Sequence, residues 1–337
     1  MSTIVTASES VAPSRLATVL AVAIYLALLA AVWFVAQEQG VAVRLGGHLT
    51  AGFFAFAGLF LPYWAFGWGC AAPLRRWLTA PAARVVAPSV LVLPYVGFAA
   101  ATHTFQVHIF VILLAIPVGL AALFQFGVPE DAAARLLWAD LIALPVLGLP
   151  IMLNWLGGAF PYPGLGSNFV KLLLIDSALY AYLVVRHLPG IGYDFRLQAR
   201  DWLIGLREWA WFAPIAIGLG LALAFIRFNP RWHDVGLAAG AWLGIFLFVA
   251  VPEELFFRGL VQNLFETRWG RNWALAGAAV LFGAAHFHHP PVPNWRYMLL
   301  AALAGIFYGR AWRDRRRVSC SAITHATVDM VWGLWFR

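Results

Sequence analysis

The sequence LATVLAVAIYLALLAAVWFVA at residues 16–36 is uncharged from end to end. The hydrocarbon core of a bilayer is about 30 Å thick, and an α-helix of about 20 apolar residues crosses it. This run is longer than the apolar core of a secretory signal peptide, and no convincing cleavage site follows it. We therefore interpret it as the first transmembrane helix of the chain.

The composition of the whole chain supports the same interpretation. Of its 337 residues, 62% are hydrophobic and 11% are charged, with a mean hydropathy of +0.78. An average soluble domain is about half apolar and about a quarter charged, so a soluble fold is excluded. Cys70 and Cys320 are the two cysteines, which excludes both a disulfide framework and a thiolate zinc site.

Apolar runs with few charged residues recur along the chain and predict about ten or eleven spans. Every backbone polar group must find a partner inside the bilayer, and uninterrupted apolar runs satisfy this requirement as helices. The predicted fold is therefore an all-α, polytopic transmembrane helix bundle. The predicted spans are residues 16–36, 50–68, 85–102, 109–127, 137–156, 168–186, 209–226, 236–252, 273–287, 297–312 and 319–336.

The net charge of +8 comes from short clusters between the apolar runs, not from one basic face, so nucleic acid is not an expected partner. The clusters are Arg75, Arg76 and Arg84; Arg186, Arg196, Arg200 and Arg207; Arg258, Arg268 and Arg271; and Arg310, Arg313, Arg315, Arg316 and Arg317. Short cytoplasmic loops carry such excesses, which predicts a multi-pass protein of the cell membrane with a cytoplasmic N-terminus. Arg227 and Arg231, in a predicted outer loop, run against this rule.

A polar stretch from His187 to Arg207 divides the chain, since it contains Pro189, Gly190 and several charged residues. The spans before it hold few ionisable groups, and those after it hold several. We therefore predict an N-terminal helical region of unknown role at residues 1–207 and a functional domain at residues 208–337.

The first motif of this domain is VPEELFFR at residues 251–258. One acid or arginine at mid-bilayer costs about 2.5 to 3.5 kcal/mol even on a lenient scale, so such groups point to function. The i,i+4 spacing lets Glu254 pair with Arg258, whereas Glu253 lies about 100° around the helix and is suited to act as a general base. In the alternative interpretation, both glutamates are solvent-exposed residues that cap the cytoplasmic end of the span.

Two further motifs follow on later spans. Phe282 and His286 are four residues apart, with the small residue Gly283 beside them so that another helix can approach. His325 and Asp329 share a helix face, where a carboxylate can fix the imidazole tautomer. Structural hydrogen bonding remains the alternative for each histidine. Counting residues places His325 roughly 10 Å and His286 roughly 20 Å from the cytoplasmic surface, so tilt or a cavity is needed to join them.

His288 and His289 follow the second motif directly and stand next to Pro290 and Pro291. We interpret both histidines as interfacial residues.

In this order the motifs resemble those of the CAAX-protease and bacteriocin-processing (CPBP or ABI) family of intramembrane glutamic-type proteases. That family shows Glu-Glu-x-x-x-Arg, Phe-x-x-x-His and His-x-x-x-Asn or Asp on successive transmembrane helices, and the resemblance covers residues 210–337. It implies hydrolysis of a peptide bond in a membrane-proximal or lipidated protein or peptide. The candidate catalytic residues are Glu253, Glu254, His286, His325 and Asp329, with Arg258 and Phe282 as structural support.

The resemblance also implies the roles of these residues. Glu253, helped by His286, activates water, while His325 and its partner stabilise the oxyanion. Asp329 replaces the Asn of the family's eukaryotic branch, and because an ionised Asp cannot donate a hydrogen bond we expect it to orient His325. We expect no cofactor, with zinc on Glu253, His286 and His325 as the alternative.

Two other functions remain open at this point. Buried ionisable groups could form the relay of a proton- or ion-coupled transporter, which would place such groups in both halves of the chain. The protein could also be a non-catalytic membrane immunity or scaffold protein that keeps the fold. Such a protein would tolerate the loss of Glu253.

Overall fold

The computed structural model describes residues 13–129, 134–161, 166–229 and 235–336. Within these ranges the secondary structure is helical, apart from one isolated bridge between Phe228 and Phe336. The predicted all-α class is confirmed. Tyr162 and Pro163, which were assigned to an outer loop, and Arg231 lie outside the described residues.

The chain forms two compact units, and the boundary between them falls between Pro189 and Gly190, inside the polar stretch. The first unit contains six main helices and two short ones, Val41–Arg44 and Ala71–Trp77. The six helices are α1 (Arg15–Glu38), α2 (Leu49–Gly67), α3 (Pro81–Thr102), α4 (Val107–Gly127), α5 (Trp138–Met152) and α6 (Ser167–Val185).

The second unit contains the motifs on a further set of helices. Its first helix is α7 (Ala199–Ala222), and the apolar run Val235–Ala285 follows. Gly270 breaks this run, because its φ of +74° is a left-handed conformation that glycine adopts without strain. We therefore name residues 235–269 α8 and residues 271–285 α9. The remaining helices are α10 (Trp295–Arg315) and α11 (Val318–Trp335).

Each predicted span coincides with one of these helices. Within the described residues, six helical runs are long and apolar enough to cross a membrane, namely α1, α2, α3, α4, α6 and Val235–Ala285, and α5 is a shorter apolar helix. The protein is therefore a multi-pass integral membrane protein. Crossing of the bilayer by α7, α10 and α11 stays a prediction.

The break at Gly270 turns α8 and α9 into an antiparallel hairpin. The ring of Phe257 packs edge-to-face on that of Phe282, with centroids 5.0 Å apart. Nearer the turn, a Cβ on Gly277 would lie 3.5 Å from the ring of Phe265. Residues on α8 and α9 therefore pair in opposite directions, and this places the second motif beside the first.

The helix α8 is widened on both sides of the first motif. Phe246–Ala250 and Leu255–Gln262 are π-helical and flank the α-helical turn Val251–Glu254. Pro252 has no N–H to donate, and its ring crowds the carbonyl group four residues earlier, which explains the first widening. π-helical turns inside α-helices are frequent at functional sites.

Glycines let the helices of this unit approach closely. A Cβ on Gly283 of α9 would lie 2.6 Å from the carbonyl oxygen of Met298 on α10. A Cβ on Gly205 of α7 would lie 2.7 Å from the side chain of Ile323 on α11. The close approach predicted beside Gly283 is confirmed, and both contacts lie within three residues of a motif histidine.

The start of α11 is anchored by a buried ionic network. Arg317, the N-cap of this helix, contacts Asp201 at 3.0 Å and Asp194 at 3.1 Å. Arg315 contacts Asp201 at 3.1 Å as well. Because Asp201 is fully buried in α7, this network fixes α11 against α7 two turns before His325.

Candidate functional site

The site is built around an ion pair inside α8. The Nε atom of Arg258 lies 3.0 Å from an Oε atom of Glu254, and both side chains are fully buried. The guanidinium group also lies 4.9 Å from the ring centre of Phe282, within cation–π range. The i,i+4 pair that the spacing predicts is present. Burial excludes the alternative that Glu254 is a wet residue at the end of a span.

Glu254 also binds α11. Its second carboxylate oxygen lies 2.9 Å from Nδ1 of His325, and the hydroxyl of Ser321 donates a hydrogen bond to the oxygen that faces Arg258. Since a carboxylate only accepts, Nδ1 of His325 carries a proton and donates it to this bond. The first and third motifs are therefore joined through Glu254.

The other nitrogen of His325 faces two partly exposed carboxylates. Nε2 lies 3.4 Å from Asp329 and 4.0 Å from Glu253. The side chains of Glu253 and Asp329 are 26% and 28% exposed, whereas that of His325 is 4% exposed. His325 is thus fixed from its buried side, and its reactive nitrogen points toward the side of the site that opens to the surroundings.

His286 ends α9 and is held by its own helix. Its Nδ1 lies 2.7 Å from the carbonyl oxygen of Phe282, so Nδ1–H donates a hydrogen bond to this carbonyl. The ring of Phe282 contacts both imidazoles, with centroid distances of 4.8 Å to His286 and 5.7 Å to His325. Both histidines therefore contact the same aromatic ring, although counting residues along the helices places them at different depths from the cytoplasmic surface. Glu253 is close enough to act electrostatically on His286.

The structure also places residues here that the sequence did not single out. Tyr308 of α10 is buried and stacks on His325, with centroids 4.7 Å apart and an interplanar angle of 17°. Tyr297, also on α10, packs edge-to-face on His286 at 4.6 Å. Ser321 lies four residues before His325, and this spacing could have identified it. No sequence signal distinguished the two tyrosines from the many other aromatic residues.

His288 and His289 lie outside this constellation. Both are exposed, although the ring of His289 stacks on that of His286 at 5.7 Å. Their exposed position fits the interfacial role predicted for them.

The zinc alternative concerns Glu253, His286 and His325. Among the described residues, no three His, Cys, Asp or Glu side chains form a group that could hold a metal ion. Nδ1 of His325 bonds to Glu254 and Nδ1 of His286 bonds to a carbonyl group, so Nε2 of each ring lies outside these two bonds. Histidines that bind a metal commonly have such a partner on their other nitrogen. Zinc on Glu253, His286 and His325 therefore stays a prediction, and we derive no step through a metal.

Comparison with known proteins agrees with the motifs. The model of the family described as "Rce1-like: Type II CAAX prenyl endopeptidase Rce1-like" matches residues 235–331. This segment contains all three motifs, so the resemblance to the CAAX-protease family is confirmed. No curated protein and no solved structure matches the chain.

Proposed function

We propose that the protein hydrolyses peptide bonds within the membrane. The reason is that residues 235–331 match the model of the Rce1-like family of type II CAAX prenyl endopeptidases. The substrate is a membrane-proximal or lipidated protein or peptide, and Glu253 activates the attacking water. One observation carries this assignment of the base. Glu253 is partly exposed near Nε2 of His325, whereas Glu254 is buried in contacts with Arg258, His325 and Ser321.

The reaction proceeds by general acid–base chemistry. Glu253 accepts a proton from water, and the resulting hydroxide adds to the carbonyl carbon of the scissile bond. In its doubly protonated form, His325 donates Nδ1–H to Glu254 and Nε2–H to the developing oxyanion. When the intermediate collapses, the C–N bond breaks and Glu253 returns its proton to the leaving amine. His286, with Nε2 unprotonated, helps to orient the water.

The remaining residues of the motifs position this machinery. Arg258 neutralises Glu254, so that Glu254 can hold His325 inside an apolar core. Phe282 and Tyr308 pack on two sides of the His325 ring and limit its rotation. Asp329 contacts Nε2 of His325 and orients it from the open side.

The arginine clusters support a cytoplasmic N-terminus, and the cell membrane is part of the same proposal. With this orientation, the polar stretch that begins at His187 and the ionic network at the start of α11 face the cytoplasm. Substrates then enter the site from the membrane plane or from the cytoplasm. The finer division into an N-terminal region at residues 1–207 and a protease domain at residues 208–337 belongs to the same proposal.

The test uses the purified full-length protein and a library of membrane-proximal peptides with and without a lipid group. We expect Glu253→Gln to lower turnover by about 10²- to 10⁴-fold, the range typical of a lost general base. His286→Ala and His325→Ala should also lose activity. Asp314→Asn is the matched control, since this acid of the same unit is 42% exposed and bonds to Arg207.

Equal cleavage by the wild type and all three site variants would defeat the proposal. Absence of cleavage by all four proteins would favour the immunity or scaffold function, which needs the fold but not Glu253. Circular dichroism and size-exclusion profiles that match the wild type must accompany any loss of turnover.

A further inference from the structure

The first unit contains a buried carboxyl group that the peptidase reaction does not use. Asp176 is fully buried and lies about half way along α6. This helix lies in the interior of its unit, because 83% of the residues in its most apolar stretch are buried. At about 1.5 Å per residue, Asp176 is roughly 15 Å from either helix end, near the middle of a bilayer about 30 Å thick.

Neither carboxyl oxygen of Asp176 has a hydrogen-bond partner in the part of the chain that the structure describes. Within the same residues, no Lys, Arg or His side chain forms an ion pair with it. The backbone N–H of Tyr63 on α2 is the polar group that approaches the carboxyl group, and the thiol of Cys70 is close enough to interact with it electrostatically. Asp176 therefore has no compensating cation.

Asp140 of the same unit is a buried acid whose charge is neutralised by an arginine. It is equally buried, but Arg186 contacts both of its oxygens at 3.1 and 3.0 Å. The two acids thus share burial and differ in their partners. This makes Asp140 a matched control for Asp176.

An uncompensated carboxylate in a medium of low dielectric is strongly disfavoured, and the group takes up a proton instead. We propose that Asp176 is a proton-binding site, which holds its proton as a neutral carboxylic acid in the folded protein. The ligand is a proton and not a metal cation, because a buried cation requires several ligands and the described residues group no three His, Cys, Asp or Glu side chains that could hold one. This site is independent of the proposed peptidase activity.

The sequence predicts that the spans of the first half hold few ionisable groups, and Asp140, Asp176 and Arg186 are the charged residues that lie buried in its described part. Cys70, which follows α2 and is partly exposed, is the titratable neighbour of Asp176 and lies toward the predicted cytoplasmic side.

Infrared spectroscopy of the full-length protein in lipid vesicles tests the proposal directly. We expect the wild type at neutral pH to show the carbonyl stretch of a protonated carboxylic acid, shifted when aspartate is labelled with carbon-13. Asp176→Asn should remove this band. Asp140→Asn should leave it in place and remove carboxylate absorption instead. Absence of a protonated aspartic acid band in the labelled wild type would overturn the proposal, and this arm needs no variant.

Thermal unfolding as a function of pH gives a second measurement. If folding holds a proton on Asp176 that the unfolded chain releases, wild-type stability falls as the pH rises above the range in which unfolded aspartate ionises. Asp176→Asn lacks this loss, so its advantage in melting temperature should widen from acidic to alkaline pH. A gap that stays constant above pH 5 would show that Asp176 is ionised in both states, and would contradict the proposal.

Discussion

Replacement of Arg258 by alanine is the most informative test of how the site is held together. The change removes a fully buried cation that lies 3.0 Å from Glu254. Glu254 would keep its bonds to His325 and Ser321, but no neighbouring arginine would neutralise it. The cation–π contact of Arg258 with Phe282 would be lost as well.

The expected cost follows from burial. Removal of one partner from a buried ion pair destabilises a protein by about 3–5 kcal/mol. Since each 1.4 kcal/mol changes an equilibrium constant tenfold, the ratio of folded to unfolded protein should fall by roughly 10² to a few times 10³. We therefore expect Arg258→Ala to lower the folded yield and the melting temperature, and to lower turnover only in proportion to the folded fraction.

The assay combines the yield of monodisperse protein, thermal unfolding and turnover per folded molecule. Asp314→Ala is the control, because Asp314 forms a 2.6 Å ion pair with Arg207 in the same unit and the two side chains are 42% and 45% exposed. Exposed pairs contribute about 0–1 kcal/mol, so this control should behave like the wild type. Normal yield and stability of Arg258→Ala together with lost turnover would refute the positioning role and place Arg258 in the chemistry itself.

Three further outcomes are expected. Gly283→Ala should destabilise the protein by about 1–3 kcal/mol in a thermal unfolding assay, because the new Cβ would lie 2.6 Å from the carbonyl oxygen of Met298. Gly218→Ala is the control, and it should be neutral or stabilising because there is open space around the new methyl group. Asp329→Asn should keep measurable turnover, since its amide oxygen can still accept from His325, and a variant as inactive as Asp329→Ala would show that the negative charge is required. Prolonged dialysis against a chelator should leave peptide cleavage unchanged. If dialysis removes the activity and added zinc restores it, the site depends on zinc.

The sequence predicted the helices well because each prediction depends on local chemistry. An apolar run must be helical in lipid whatever surrounds it, and the eleven predicted runs coincide with helices of the described residues. The pair of Glu254 and Arg258 was predictable for the same reason, because the i,i+4 spacing brings the two side chains together without help from another helix. Gly283 likewise predicted the close contact of α9 with α10.

Contacts between helices were predictable only in part. The spacing of His325 and Asp329 suggested that Asp329 orients the imidazole, but Asp329 lies 3.4 Å from Nε2, whereas Glu254 lies 2.9 Å from Nδ1. The shorter contact to the imidazole thus comes from Glu254 on α8, which is 71 residues away from His325 in sequence. The rotation of α8 relative to α11 decides this contact, and the sequence of either helix alone does not specify that rotation.

This division of contacts determines which of the two adjacent glutamates can act on a substrate. Glu254 is bound by a cation, an imidazole and a hydroxyl, and its burial leaves no room for water. Glu253, one residue earlier and about 100° around the helix, reaches the opposite nitrogen of the same imidazole and remains partly exposed. In the proposed mechanism the two chemically identical side chains therefore serve different purposes, because Glu254 holds His325 in place and Glu253 activates the water that this histidine faces.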